Sequence, residues 1–476
     1  MIALVLIPAA ASLLLALWPR QAERLNVAAA ALTLAVAAWL ATQPYPASGW
    51  LRVDALNLPL ILVAAVVGLG TAIFSAQDVV HERFGPRAHR AYHAAFQLFC
   101  AANFLALLSD NLGVMWVAIE AATLATVLMV ALHRTPSATE AAWKFFLLCG
   151  VGIALALLGI VVLALAAQPH LPQAGGGGHA TLSFALLREA APRADAGLLN
   201  LAFVLLLVGF GTKAGLVPLH SWLPDAHAEG PTPIAAVLSG LLLNAAMHGI
   251  LRGQAIVGAN ASVIPPGHLL LALGLASLLV AALALWRRRD AKRLFGWSSI
   301  EHMGLAAIAF GIGAHAAGLL HLVGHSLLKS AVFSAIGRAA RLKGSQALAD
   351  IGGLCVSHPA LGWGLALAVA GIAGMPPFVL FLSEVQTALE AGRAAPWVLV
   401  PLLTGLLVAA TALILALQNL CFGAPTPPAP GMEGASAGAG TLVPLWGHLA
   451  LCLVVALALP APLAGVFAEA ARMFAR

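Results

Sequence analysis

Charge is what this 476-residue sequence has least of. Asp, Glu, Lys and Arg together supply 9% of it, against about 25% in an ordinary soluble domain. A soluble enzyme with an oversized core is excluded, because such a chain would not carry one apolar run of ~20 residues after another. Cysteine is scarce as well. Cys100, Cys149, Cys355, Cys421 and Cys452 all sit in or beside apolar runs, and no two form a CxxC pair. That argues against iron–sulfur, structural-zinc and disulfide frameworks. A GxGxxG fingerprint with its trailing acid is missing, and so is a Walker A loop. The chain is therefore expected to bind no nucleotide, carry no electrons, and hold no cofactor or metal. Its net charge of +6 belongs to loop lysines and arginines rather than to a nucleic-acid surface. Residues 1–18 are apolar without a basic leader, which reads as a first membrane helix and not as a cleaved signal peptide.

What remains is 61% apolar and falls into fourteen expected spans, near residues 1–18, 25–43, 56–78, 90–108, 111–133, 141–167, 197–225, 231–252, 266–286, 294–313, 316–340, 358–392, 396–421 and 441–470. The fold class is an all-α polytopic membrane protein. Basic residues set its orientation. Odd-numbered loops hold Arg20, Arg24, Arg83, Arg87, Arg90, Arg134, Arg287, Arg288, Arg289, Lys292, Arg293, Arg338, Arg341 and Lys343. Even-numbered loops hold only Arg52, Arg188, Arg193, Arg252 and Arg393. The odd loops are thus expected on the cytoplasmic side of a bacterial inner membrane and both termini outside, although Arg472 and Arg476 on the tail count against it. Lys144, Lys213 and Lys329 are the basic residues left within or at the edge of spans. Residues 173–179 and 424–440 are low-complexity connectors. No long amphipathic C-terminal extension is expected.

The chain is organised around residues 209–252, GFGTKAGLVPLHSWLPDAHAEGPTPIAAVLSGLLLNAAMHGILR. Pro218, Pro224, Pro231 and Pro233 break the helix there, since proline removes a donor and crowds the preceding turn. Hydrocarbon tolerates broken backbone only inside protein or beside a wet cavity. Lys213, just before the break, is therefore a candidate for an ion path. A lysine snorkelling to the interface is the blander alternative. An internal repeat is legible in the charges. Spans four to eight carry Glu120, Lys144 and Lys213; spans nine to thirteen carry Glu301, Lys329 and Glu384. The seventh span breaks at Pro218 and Pro224, the twelfth at Gly374-Met375-Pro376-Pro377. Five is odd, so two successive five-span units have opposite topology, and matched breaks in inverted halves point to a transport site. The expected divisions are residues 1–89 as a three-helix segment, 90–252 and 253–421 as the two repeats, and 422–476 as a linker with the last membrane helix.

Glu120 is flanked by apolar residues for two turns each way, so it should pair with a base, and Lys213 is the natural one. At ~4 Å and an effective dielectric near 20 their attraction is about 4 kcal/mol, enough to decide whether the lysine keeps its proton. A static structural pair is the alternative. His321, His325 and Lys329 recur every four residues on one helical face. Packed histidines would give the same spacing, and a zinc pair would lack the glutamate of HExxH and a third ligand. A proton relay is favoured, with Glu301 and His302 continuing it. Glu384 follows the second break as a terminal proton donor or acceptor, or as an interface marker. Asn244 and His248 offer a water-mediated link. Asp225, His227 and Glu229 are expected in the loop after the first break, either capping a helix or funnelling ions inward.

The seventh-span motif GTKAGLVPLHSWLPDAHAEGPTPIAAVLSG resembles the signature of the proton-conducting antiporter-like membrane subunits of respiratory complex I, Mrp-type antiporters and group 4 NiFe hydrogenases. WVAIEAATLATVLMVAL, EAAWKFFLLCGVGIALAL, GWSSIEHMGL and HLVGHSLLKSAVFSAIG fit too. The wording around Glu120 and DAHAEGPTP is similar to the hydrogenase-4 F-type component, and the resemblance spans about residues 55–420. It implies a 14-helix bundle with two inverted five-helix repeats and a central line of charges moving protons. By motif, Glu120 matches the fifth-helix glutamate, Lys213 the seventh-helix lysine, Lys329 the eleventh-helix lysine and Glu384 the twelfth-helix charged residue. Asn244 stands where one complex I paralogue has lysine, and Glu384 where the distal subunit has lysine, so the pattern is nearer the medial type. The implied partners are other membrane subunits of a complex I-like or hydrogenase-like assembly, with peripheral redox subunits engaged indirectly and no nucleic acid. The expected function is a proton- or sodium-translocating, non-catalytic subunit of a redox complex. An Mrp-like cation/proton antiporter and the membrane platform of an inorganic-carbon uptake complex are the alternatives.

Overall fold

The computed structural model describes residues 1–17, 21–82, 84–171 and 180–474. The glycine run at 173–179 and Arg20, Arg83 and Arg476 lie outside the described residues. The helices follow in chain order: α1 (Ala3–Leu17), α2 (Ala22–Leu40), α3 (Leu58–Asp78), α4 (Pro86–Leu108), α5 (Leu112–Val130), α6 (Pro136–Ala167), α7 (Phe184–Ala190), α8 (Ala196–Ala214), α9 (Trp222–Glu229) and α10 (Thr232–Val237). A π-helical turn, Leu238–Leu242, leads into α11 (Leu243–Val257). Then come α12 (Pro266–Leu285), α13 (Ala291–Gly311), α14 (His315–Lys343), α15 (Leu354–Ser357), α16 (Pro359–Ile372), α17 (Val379–Ala394), α18 (Leu399–Leu417), α19 (Ala439–Leu457) and α20 (Ala461–Arg472). Between α2 and α3 a two-residue hairpin, β1 (Ala47–Ser48) and β2 (Leu51–Arg52), pairs Ala47 with Arg52.

Among the described residues, 11 helices are long and apolar enough to cross a membrane, while α1 and α16 are apolar but shorter. The outer helices turn Leu and Val stripes outward. On α6, Leu147, Val151, Leu158 and Leu165 are all exposed at spacings that keep one helical face. A face like that is at rest in hydrocarbon, not in water. The segment α10–α11 is wholly buried, α14 is buried from Ala317 to Ala340, and the two form the centre. Small residues let the flanking helices close on one another. A Cβ added at Gly209 of α8 would meet the Ala156 nitrogen of α6 at 2.5 Å.

Both expected breaks are present, and protein groups take up backbone donors and acceptors there. Gly215 caps α8 in the left-handed region at φ 75°. The freed Thr212 carbonyl accepts from the Trp222 indole at 2.9 Å, and the Val217 amide donates to Ser277 Oγ at 2.9 Å. At the second break Met375 donates back to the Ala370 carbonyl at 3.1 Å. In each case protein replaces the missing helical partner, which is the condition for broken backbone at membrane depth.

Four expectations are corrected. Asp225, His227 and Glu229 are not in a loop but on α9. The last span, expected over 441–470, is two helices, because Pro460 and Pro462 stop α19 and open α20. Arg252 is no loop residue: it is 1% exposed within α11, held by Asp54. Lys292 is likewise buried, in the first turn of α13, and donates to the Gly230 carbonyl at 3.1 Å.

Candidate functional site

The Lys213 side chain is fully buried and its Nζ donates to Glu120 Oε2 at 3.0 Å and to Thr123 Oγ1 at 2.5 Å. The pairing follows from sequence logic: an ionisable group in an apolar run needs an opposite charge. Thr123 was not foreseen, although it lies one turn after Glu120, where side chains three and four apart share a face. α5 supplies the carboxylate and hydroxyl, α8 the ammonium, and the break after Ala214 ends α8 one residue past the lysine.

A second polar group lies on α13, α14 and α17. His302 Nδ1 stands 3.2 Å from His321 Nε2, and His321 Nδ1 is 2.9 Å from Ser383 Oγ. The Glu384 carboxylate lies within 4.8 Å of both imidazoles. His325 packs against His302 with ring centroids 5.5 Å apart, and its Nε2 is 3.5 Å from Ser239 Oγ, itself 2.8 Å from Ser299 Oγ. Lys329, one turn further, donates to the Phe295 carbonyl at 2.9 Å. Glu301 and Glu384 line one cavity of about 290 Å³ between α13, α16, α17 and α18. Gly374 at the second break is left-handed at φ 69°, and a Cβ there would run into the Glu384 carboxylate.

Two sequence candidates lie elsewhere. Lys144 sits on the exposed start of α6, bridging Glu140 at 3.2 Å and Asp225 at 2.9 Å. From Asp225 the charges run through Arg293 to Glu229, then by way of the Glu229 carbonyl to His133, Glu82, Arg341 and Asp78. This is a network at the helix ends, away from Lys213. His248 joins neither lysine. Its Nε2 faces Arg252 Nε at 3.3 Å, Arg252 Nη1 is 2.6 Å from Asp54, and the guanidinium stacks 4.3 Å from the Phe184 ring of α7. Burial disfavours the Asp54 carboxylate, yet the Arg252 charge and hydrogen bond, with the Asn57 backbone donor, outweigh it and hold the carboxyl below its ordinary 3.8. Asn244 donates to Ser326 Oγ at 2.8 Å, beside the π-helical turn whose Gly240 carbonyl also accepts from Ser326. Among the described residues no side-chain hydrogen bond joins the Lys213 group to the histidine group.

Paired broken helices, each beside buried ionisable side chains, define a polytopic membrane protein of the antiporter-like class. The family profile for the transmembrane part of NADH:quinone oxidoreductase and Mrp antiporter proteins matches residues 109–413, and the chain belongs to that family. It is 49% identical over 387 residues to the hydrogenase-4 component F homolog of Methylacidiphilum infernorum (isolate V4), covering 80% of either chain. A chain of respiratory complex I from Thermus thermophilus superposes at TM-score 0.78 with 27% identity, over 96% of this chain and 99% of that one. A chain of the membrane-bound sulfane sulfur reductase, an archaeal respiratory complex, shares the fold at TM-score 0.86 and 23% identity, over 99% and 96%.

Proposed function

We propose that this chain is the proton-translocating membrane subunit of a hydrogenase-like or complex I-like oxidoreductase. The observation that carries the reading is the Lys213–Glu120 pair, buried beside a broken helix. At 3.0 Å and an effective dielectric near 20, their attraction is about 5.5 kcal/mol. Parting them withdraws that support from the lysine's proton. The proton then passes by water to His325, Lys329, His302 and His321 and on to Glu384, with Glu301 sharing its cavity. Lys144 belongs to the ion network at the helix ends, where it gathers protons rather than relaying them. His248 sits on a side branch with Arg252. Residues 90–252 and 253–421 act as inverted repeats after the 1–89 segment, with 422–476 closing the bundle. The odd loops, richer in lysine and arginine, favour a bacterial inner membrane with both termini outside. Redox chemistry resides in partner subunits reached through neighbouring membrane subunits.

The experiment is a Lys213→Ala variant in the reconstituted complex, followed by proton uptake into proteoliposomes. Translocation is expected to fall at least about tenfold, the scale of losing a charge from a relay. Unchanged pumping overturns the cycle. Cation/proton exchange by the purified single chain, with no redox partner, favours the Mrp-like alternative.

A further inference from the structure

The first turns of α2 and α4 carry a cluster that the ion path does not use. Glu23 lies in the first turn of α2, and His89 and His93 stand four residues apart on one face of α4. All three offer ligand atoms within 4.8 Å of one another. Glu23 Oε1 and His89 Nε2 are 3.1 Å apart, close to the separation of two ligands on one tetrahedral ion with bonds of about 2.0–2.1 Å. The His89 and His93 rings meet edge to face at 4.8 Å.

His93 is the telling residue. It is completely buried, and neither ring nitrogen has a hydrogen-bond partner. Its neighbour Tyr92 spends its hydroxyl on Ser75 and offers His93 only a ring edge at 5.1 Å. One turn along the same seam, Gln97 Nε2 donates to Asn26 Oδ1 at 2.7 Å, so that pair turns to each other and not to His93. A buried imidazole left without a partner calls for an explanation, and this one points into a site that already holds a second imidazole and a carboxylate. His89 and Glu23 are partly exposed, so a cation can enter and a water can take the fourth position.

We propose that Glu23, His89 and His93 bind one first-row divalent cation of the zinc class, clamping the start of α2 to α4. Two imidazoles and a carboxylate suit zinc and its neighbours, whereas calcium and magnesium take oxygen sets. The site precedes the family-matched residues 109–413, and it stands apart from the relay.

Cobalt titrated into the purified full-length chain tests the assignment. One Co²⁺ per chain is expected, with the visible bands of a tetrahedral site, displaced by Zn²⁺. Glu23→Gln and His93→Ala should each weaken binding at least about 100-fold, since even outer-shell losses cost ~10–100-fold. Zn²⁺ should raise the unfolding temperature of the parent chain and not of these variants. His89→Ala, at a partly exposed ligand, gives the same readings if His93→Ala does not fold. Absent bands, or binding unchanged in Glu23→Gln, overturn the proposal. So does binding lost on His321→Ala, which would put the ion at the His302, His321 and Glu384 group instead.

Discussion

Lys213 has two partners of different kinds, and their removal should cost different amounts. Glu120→Gln keeps the shape and removes the charge, leaving a buried ammonium without its counter-charge; breaking such a pair costs ~3–5 kcal/mol, and proton uptake should drop at least about tenfold. Thr123→Val removes the hydroxyl that accepts from the ammonium and itself donates to the Ile119 carbonyl; a bond to a charged group is worth ~1.5–3 kcal/mol, but the counter-charge stays, and uptake should stay within a few-fold. Equal effects in thermal unfolding and uptake would reject this division. Asp54 gives a prediction in pH. Its carboxyl is held below 3.8 in the folded chain, so the folded state binds fewer protons than the unfolded one below that value. The stabilisation is complete above pH 3.8 and is lost as pH falls through the lower folded value. Acid titration of the unfolding temperature should show this loss, and Asp54→Asn should lack it. The two residues also mark how far the sequence can be read. A carboxylate and a lysine stranded in apolar runs announce that they need each other. Nothing local tells that Arg252 reaches back to Asp54, or that His248 follows Arg252 away from the lysines, because those choices depend on which helices touch.

At the level of the element, the two breaks were legible because proline and glycine act locally. The π-helical turn at Leu238–Leu242 and α7 were not: the first meets Ser326, which donates to the Gly240 carbonyl, and the second docks through Phe184 against the Arg252 guanidinium, and both contacts come from residues distant in sequence. Close helix packing gives the clearest element-level test. Gly209→Ala would drive a Cβ into the α6 backbone, and overpacking of this kind costs ~1–3 kcal/mol. A lower unfolding temperature is expected, with proton uptake per folded chain preserved. Gly374→Ala joins a left-handed φ to a collision with Glu384. It should lose uptake as well as stability, and a Gly374→Ala chain that pumps normally would detach the second break from the path.

For the whole molecule, apolar composition gave the membrane class and the arginine count gave an orientation, though Arg252 and Lys292 proved to be buried structural charges. Labelling decides the orientation. In a Cys355→Ser background, Ser48→Cys on the exposed hairpin should react with an impermeant maleimide from outside intact cells. Ser137→Cys, on the exposed start of α6, should react only after permeabilisation. The reverse pattern would invert the protein. The helix that carries the histidine face, α14, is covered by protein from Ala317 to Ala340, and part of that cover comes from α16, α17 and α19. Those segments leave the ribosome after it does. The nascent helix must therefore wait in the membrane with imidazoles and an ammonium still uncovered, and a message cut short before α19 leaves one flank bare to lipid. Cellular quality control would register such a truncation before any pumping assay could.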